Sequence, residues 1–150
     1  MDEGPVVFDN EPLLAVLFDE PGRNVVESYL REVYRGDREG YASYVTWTEL
    51  LYTVARVRSW EFGETAVEEL ERQNVVPIAV RDTWRTAARF KHQHNVALGD
   101  AFALAAADYA DGTLLVGADD DFEGVEKVRI EQFRLENLPR TKDFENITRS

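Results

Sequence analysis

Short apolar runs alternate with longer segments of helical periodicity along most of the chain, and this alternation restricts the fold more than any other feature. The run Val6, Val7 and Phe8 is followed by a segment whose apolar residues recur at helical spacing. Strands are predicted at residues 6–8, 41–45, 75–80, 113–116 and 125–130. Because helices separate the strands, the strands can pair in parallel. The sequence therefore predicts an α/β fold with a mainly parallel sheet.

The length and composition indicate one domain. A chain of 150 residues with 44% hydrophobic residues can bury a sizeable core. There is no internal repeat or linker, and residues 139–150 form a polar tail. The longest apolar stretches, such as residues 101–107, are too short to span a membrane, and there is no cysteine. We expect a cytoplasmic protein without a targeting segment.

The charge balance is strongly acidic. There are 29 acidic and 17 basic residues, which gives a net charge of −12, and only three of the basic residues are Lys. Low Lys with high Asp and Glu resembles proteins from salt-loving organisms, in which molar salt shortens the Debye length to about 3 Å. Proteins that bind nucleic acid usually carry a basic face. A nuclease of this composition would need locally concentrated Arg residues, or metal ions that bridge the phosphates.

Four acidic residues stand where predicted strands and helices meet: Asp9, Glu49, Asp100 and Asp119. Asp9 ends the first strand, Glu49 and Asp100 lie in first helical turns, and Asp119 follows the fourth strand. Sites in open parallel sheets form outside the carboxyl ends of the strands. Clustered carboxylates raise one another's pKa unless a cation compensates, and Mg²⁺ prefers a few carboxylates with waters and a phosphate. The four acids favour a metal site that activates water for phosphodiester cleavage.

Each of these acids also has a purely structural interpretation. Thr46 and Glu49 have the spacing of a capping box. Asp100 can interact favourably with a helix dipole, Asp119 can form a turn, and Asp9 can help to start a helix. The metal site is favoured because all four acids are expected at one edge of the sheet.

Four segments of the sequence resemble the PIN domain, and most closely the VapC toxins of type II toxin–antitoxin pairs. The segments are VFDNEPLLA at residues 7–15, TELLY at 48–52, LGDAFALAAA at 98–107 and VGADDDF at 116–122. They occur in the family's order, and the resemblance extends over residues 6–133. The resemblance implies a three-layer α/β/α fold with a five-stranded sheet in the order 3-2-1-4-5.

The resemblance also implies a function. It identifies Asp9, Glu49, Asp100 and Asp119 as ligands of Mg²⁺ or Mn²⁺ and as the catalytic residues, with Asp121 as an auxiliary acid. It implies endoribonuclease activity, an RNA substrate, a VapB-like antitoxin and a homodimer.

Three positions depart from the family pattern. Asn10 replaces a Ser or Thr, although its amide can still form hydrogen bonds and is assigned an auxiliary role. Gly117 replaces a Thr, which removes a hydroxyl near the site, and Thr46 stands where Asn is common.

Two arginine pairs and two aromatic residues each allow two interpretations. The pairs Arg56 with Arg58 and Arg85 with Arg89 could bind RNA phosphates, or they could be ordinary surface arginines. Trp60 and Phe62 are interpreted as core residues rather than interface anchors.

Several other functions stay open at this point. The chain could be a PIN-domain nuclease of RNA processing, or a degenerate PIN domain that acts as a binding scaffold without a divalent ion. A haloacid-dehalogenase-like phosphatase would need Asp where Glu11 stands, and a response-regulator receiver would need an Asp at the end of the third strand. No Walker-type phosphate loop or dinucleotide fingerprint is present.

Overall fold

Five parallel strands form one sheet in the order β3-β2-β1-β4-β5. The structure is a computed structural model that describes residues 4–117 and 122–134. The strands are β1 (Val6–Phe8), β2 (Gly40–Ser43), β3 (Val75–Ile78), β4 (Thr113–Val116) and β5 (Arg129–Gln132). The predicted fold class and strand order are confirmed.

Helices cover both faces of this sheet. They are α1 (Asn10–Leu17), α2 (Arg23–Arg35), α3 (Tyr44–Val57), α4 (Trp60–Arg72), α5 (Trp84–Gln93) and α6 (Leu98–Ala110), with a 3₁₀ turn at Val80–Asp82. Successive residues of a strand point to opposite faces. Val6 and Phe8 accordingly belong to a core shared with α1 to α4, whereas Val7 belongs to a core shared with α5 and α6. The predicted three layers are therefore present.

Helix α6 lies close to the sheet because its side chains are small. Ala101 and Ala103 to Ala107 are buried, and the helix contacts β1, β2 and β4 as well as α3 and α5. Alanine also has the highest helix propensity and loses no side-chain entropy on burial. Because α6 runs back toward the start of β4, its first turn lies at the carboxyl edge of the sheet.

The strands predicted at residues 41–45 and 75–80 end earlier in the structure, at Ser43 and Ile78. The earlier end of β2 moves the start of α3. β2 ends at Ser43, whose Oγ accepts a hydrogen bond of 3.0 Å from Val45 N–H and caps α3. Thr46 therefore lies inside α3 and is buried, and Glu49 lies in its second turn rather than its first. The capping-box interpretation of Thr46 and Glu49 is wrong, since the cap is formed three residues earlier.

Helix α4 also differs from the sequence-based expectation. Trp60 and Phe62 are 54% and 43% exposed, so their interpretation as core residues is wrong. The buried face of α4 consists instead of Gly63, Ala66 and Leu70. The Ser59 hydroxyl accepts a hydrogen bond from Phe62 N–H and caps the helix, so Trp60 and Phe62 both lie in its first turn. Among the described residues no helix is long and apolar enough to cross a membrane.

Candidate metal centre

Asp9 occupies the centre of the carboxyl edge of the sheet. It follows β1, the central strand, and its backbone N–H donates to Leu115 O at 3.0 Å. Asp9 is the N-cap residue of α1, but its side chain forms no capping hydrogen bond to the helix. The residue is only 8% exposed. A buried carboxylate without a capping role points to a binding function.

The electrostatics of Asp9 show which other acids lie near it. Burial raises the pKa of Asp9 well above its usual value, and the negative charge of Asp100 raises it further. A hydrogen bond from the backbone N–H of Asn10 opposes these effects, while Glu49 and Glu11 add to them. Like charges disfavour ionisation in this way, and a bound cation would reverse the effect. Among the described residues, Asp100 and Glu49 therefore lie within electrostatic reach of Asp9.

Glu49 is held against the start of α6. A Cβ built on Gly99 would lie 2.7 Å from Cδ of Glu49, so a side chain at residue 99 would displace this carboxylate. Burial raises the pKa of Glu49 as well. Gly99 thus leaves space for the Glu49 carboxylate beside Asp100. In the sequence, the only indication of this role is a glycine directly before an acidic residue.

Asp100 lies in the first turn of α6, where the helix dipole favours a negative charge. The helix dipole would stabilise the Asp100 carboxylate whether it only caps the helix or binds a metal ion. What distinguishes the two is proximity to other carboxylates, and among the described residues the charge of Asp100 raises the pKa of Asp9 more than any other charge does. Asp119 and Asp121 lie outside the described residues.

Sequence reasoning missed a further acid, Glu11. Its carboxylate fills the space beside Gly117, because a Cβ at residue 117 would lie 2.7 Å from Cδ of Glu11. Its Oε2 lies 3.6 Å from Nη1 of Arg134, whose side chain is fully buried. The signal in the sequence was the combination of Glu two residues after Asp9 with Gly in place of Thr at residue 117.

The donors in this region fit a hard divalent cation. Asp9, Glu49 and Asp100 supply carboxylate oxygens, and within the described part of the chain the buried Oδ1 of Asn10 has no hydrogen-bond partner. In residues 4–117 and 122–134 no group of three or more acidic or histidine side chains is close enough to enclose an ion. Mg²⁺ usually binds through one or two carboxylates and keeps several waters, so such an enclosure is not required.

The candidate RNA-binding arginines are all exposed. Arg56 lies over the ring of Tyr52 at 4.9 Å, Arg58 over Phe18 at 5.4 Å and Arg85 over Trp84 at 4.6 Å. Arg56 lies in the last turn of α3 and Arg58 is its C-cap residue. At 1.5 Å per residue Arg56 lies about 10 Å along the helix from Glu49. Arg89 lies one turn after Arg85 on α5.

The chain belongs to the PIN-domain family, whose match covers residues 6–128. This confirms the family resemblance of the four acidic segments. A comparison with curated protein sequences found no match.

Solved structures of toxin–antitoxin complexes have the same fold. A chain of a toxin–antitoxin complex from Klebsiella pneumoniae is 19% identical, with a TM-score of 0.63 over 87% of this chain and 99% of that chain. A chain of VapBC2 from Rickettsia felis, bound to a promoter DNA fragment, is 11% identical with a TM-score of 0.64 over 85% and 98%. A chain of DNA-bound VapBC from Salmonella typhimurium is 16% identical with a TM-score of 0.63 over 87% and 98%. At these identities the similarity shows the fold.

Proposed function

We propose that this PIN-domain protein is a Mg²⁺- or Mn²⁺-dependent endoribonuclease and the toxin of a type II toxin–antitoxin pair. The observation that carries the proposal is the buried Asp9 carboxylate, whose pKa is raised by burial and by Asp100 and Glu49 at the carboxyl edge of the sheet. A chain gains nothing in stability from such a cluster. Divalent-cation binding explains why these acids lie together.

The acidic residues and Asn10 would have different roles in the reaction. Asp9, Glu49 and Asp100 would bind the ion, together with Asp119 and with Asp121 as auxiliary, and Asn10 would orient a water through its amide oxygen. Glu49, held by Gly99, would orient the attacking water or accept its proton. The ion would supply Lewis-acid activation of water and neutralise the charge on the phosphate. Water adds to phosphorus and one P–O bond of the RNA breaks, leaving a phosphate at one new end and a hydroxyl at the other.

The RNA substrate must approach a protein of net charge −12. Arg85 and Arg89 are exposed, lie on one face of α5 and form no ion pair within the described part of the chain. We expect Arg85→Ala with Arg89→Ala to weaken RNA binding about 10-fold and to reduce the slope of log affinity against log salt by about 2, since each phosphate contact contributes about one unit. Arg72→Ala is the matched control, because Arg72 is exposed but paired with Glu69. Equal effects of both variants would contradict a specific RNA-binding role for α5.

The partner we propose is a small VapB-like antitoxin. The basis is the set of structural neighbours, which come from complexes of toxin with antitoxin. We also propose a homodimer, a cytoplasmic location and a halophilic source, the last from the acidic, Lys-poor composition. Expression of the chain alone should arrest growth, and co-expression of the antitoxin should restore it. Normal growth with abundant folded protein would contradict the toxin assignment.

The test of the enzymatic proposal is cleavage of a broad RNA pool by the purified protein. Cleavage should require Mg²⁺ or Mn²⁺, should stop with EDTA and should be restored by excess Mn²⁺. The test variant is Asp9→Asn, and Asp37→Asn is its control. Asp37 is exposed and precedes β2 at the opposite edge of the sheet. If the wild type binds no Mn²⁺ and cleaves no RNA at any salt concentration, the alternative of a degenerate PIN scaffold is favoured.

A further inference from the structure

The Glu11 carboxylate lies between two segments that the fold brings to the carboxyl edge of the sheet. On one side it occupies the space next to the Cα of Gly117, the residue directly after β4. On the other side its Oε2 lies 3.6 Å from Nη1 of Arg134, two residues after β5. Glu11 belongs to the first turn of α1 and follows Asp9 by two residues. Its position therefore depends on contacts with both β4 and the end of β5.

Arg134 is a fully buried cation, and among the described residues it has two acidic partners. Its side chain has no exposed surface, and its Nη2 lies 3.4 Å from Oε1 of Glu20 in addition to the contact with Glu11. The guanidinium also lies 4.5 Å from the ring centre of Phe133. A charge this deeply buried is strongly unfavourable unless it is paired. Glu11 and Glu20 meet that requirement, so a change that moves Glu11 also disturbs Arg134.

The absence of a side chain at residue 117 is explained by Glu11 and not by the backbone. Gly117 is not among the described residues with positive φ, so another amino acid could adopt its backbone conformation. A Cβ at this position would overlap Oε2 of Glu11. The Gly at 117 and the Glu at 11 are therefore coupled: where the family pattern has Thr at the position of Gly117, this chain places a carboxylate from α1.

We propose that Glu11 is a positioning residue of the metal centre, held against Gly117 by Arg134. The contact fixes the first turn of α1, directly after Asp9, to the end of β4. The inference rests on the proposed function of the Asp9 site and adds the residues that set its geometry. Groups that orient metal ligands commonly change metal affinity by 10- to 100-fold when they are removed.

The first experiment is a double-mutant cycle on Mn²⁺ affinity, measured by calorimetry on the intact protein without RNA. Gly117→Thr should weaken Mn²⁺ binding about 10-fold because it displaces Glu11 from Arg134, and Glu11→Ser should have a similar effect. In the Glu11→Ser protein, adding Gly117→Thr should cause no further loss, because the space is vacant. Residues in contact show such non-additivity, whereas independent sites multiply their effects. Multiplied effects would overturn the proposal.

The second experiment tests the cation. Arg134→Met should weaken Mn²⁺ binding about 10-fold, and Arg134→Lys should retain more affinity than Arg134→Met because it keeps the charge. Arg38→Met is the matched control: Arg38 is also largely buried and paired, with Glu32, but lies at the opposite edge of the sheet. It should lower the melting temperature without changing Mn²⁺ affinity. If Arg134→Met does not fold, Arg134→Lys and the cycle at residues 11 and 117 decide the question.

One further variant separates this inference from the proposed function. If Asp9→Asn leaves Mn²⁺ affinity unchanged, the metal centre itself is wrong. If Asp9→Asn abolishes binding while Gly117→Thr and Arg134→Met bind Mn²⁺ as the wild type does, the metal centre stands and the role of Glu11 is overturned.

Discussion

The Arg38 pair at the amino edge of the sheet and the Asp9 site at the carboxyl edge differ in the charges that they bring together. At the amino edge, before β1 and β2, Arg38 donates to Glu32 Oε1 at 2.8 Å and to Gly4 O at 2.7 Å, so a cation and an anion are paired. At the carboxyl edge, Asp9 lies near Asp100 and Glu49, and like charges are brought together. Both edges are formed by the same five strands. The contrast between the two clusters therefore lies in the side chains that each edge carries.

The difference shows which edge serves stability and which serves binding. A paired arginine satisfies the buried polar groups of a turn and costs the fold little. A buried group of carboxylates raises the free energy of the folded state, because each anion disfavours the ionisation of its neighbours. Such an arrangement is retained where a ligand supplies the missing positive charge. At the Asp9 site, removing one carboxylate charge should therefore help folding and impair function.

The largest expected effect comes from Asp9→Asn. The substitution keeps the shape of the side chain but removes the central negative charge, and loss of one such electrostatic contribution commonly costs about 10²–10³ in rate. Because the same change relieves repulsion from Asp100 and Glu49, the metal-free variant should be at least as stable as the wild type. RNA cleavage rates with Mn²⁺ and thermal melts in EDTA measure the two effects.

A structural role for Asp9 predicts the opposite pair of results. Loss of stability with retained cleavage would identify Asp9 as a helix-capping acid. Cleavage that persists both in EDTA and in the variant would exclude the metal-dependent mechanism.

The sequence predicted the first four strands well because they are short, apolar and separated by helices. The fifth strand was predicted at residues 125–130 but lies at Arg129–Gln132, where the strand is only partly buried. Thr113–Val116 was predicted with the bounds that the structure has, since Gly112 before it and Gly117 after it mark both ends. The proximity of Asp9, Glu49 and Asp100 was also predictable, because the carboxyl ends of parallel strands share one edge.

The sequence could not predict contacts that depend on long-range packing. Glu11 and Arg134 are far apart in the chain, and only the placement of β5 beside β4 brings them together. Local patterns failed where two of them competed. The cap predicted at Thr46 is replaced by Ser43, because β2 ends there and the Ser43 hydroxyl caps α3.

The amino edge can be tested by Arg38→Met, which should destabilise the protein by about 1–3 kcal/mol. The estimate lies between exposed ion pairs, which contribute at most about 1 kcal/mol, and buried pairs, whose disruption costs about 3–5 kcal/mol. Arg38 is largely buried, whereas Glu32 is partly exposed. Urea unfolding gives the stability, and cleavage of RNA at saturating Mn²⁺ should stay at the wild-type rate. A variant that unfolds normally but cleaves poorly would contradict the assignment of this edge to stability.

The carboxyl edge should also give metal-free stability an unusual dependence on pH. The pKa of Asp9 is raised in the folded protein above its ordinary value of 3.8. Between these two pKa values the folded state binds more protons than the unfolded state, so the free energy of unfolding falls as pH rises. The loss is about 1.4 kcal/mol for each unit of the shift.

The measurement is urea unfolding in EDTA from about pH 4 to pH 8, for the wild type and for Asp9→Asn. The difference between the two isolates Asp9, because Glu49 titrates in both proteins. Relative to Asp9→Asn, the wild type should lose stability as pH rises, and Mn²⁺ should remove the loss. A wild type that gains stability relative to the variant with rising pH would show that Asp9 is paired with a cation in the folded protein.

The smallest expected effect is that of salt on the melting temperature. Salt acts in opposite directions on the Arg38–Glu32 pair and on the repulsion among the acids. Salt weakens the Arg38–Glu32 pair but also weakens repulsion among the acids, as the Debye length falls from about 10 Å at 0.1 M to about 3 Å at 1 M. With a net charge of −12, repulsion is the larger of the two over the whole surface. The melting temperature in EDTA should therefore rise by a few degrees over this range, because about 1 kcal/mol corresponds to roughly 2–4 °C for a chain of this size.

Asp9→Asn should show a smaller rise, since part of the repulsion is already removed, and Arg38→Met a larger one, since it has no amino-edge pair to weaken. A melting temperature that rises steadily as salt is removed would mean that pairing outweighs repulsion, and it would contradict the halophilic interpretation of the composition.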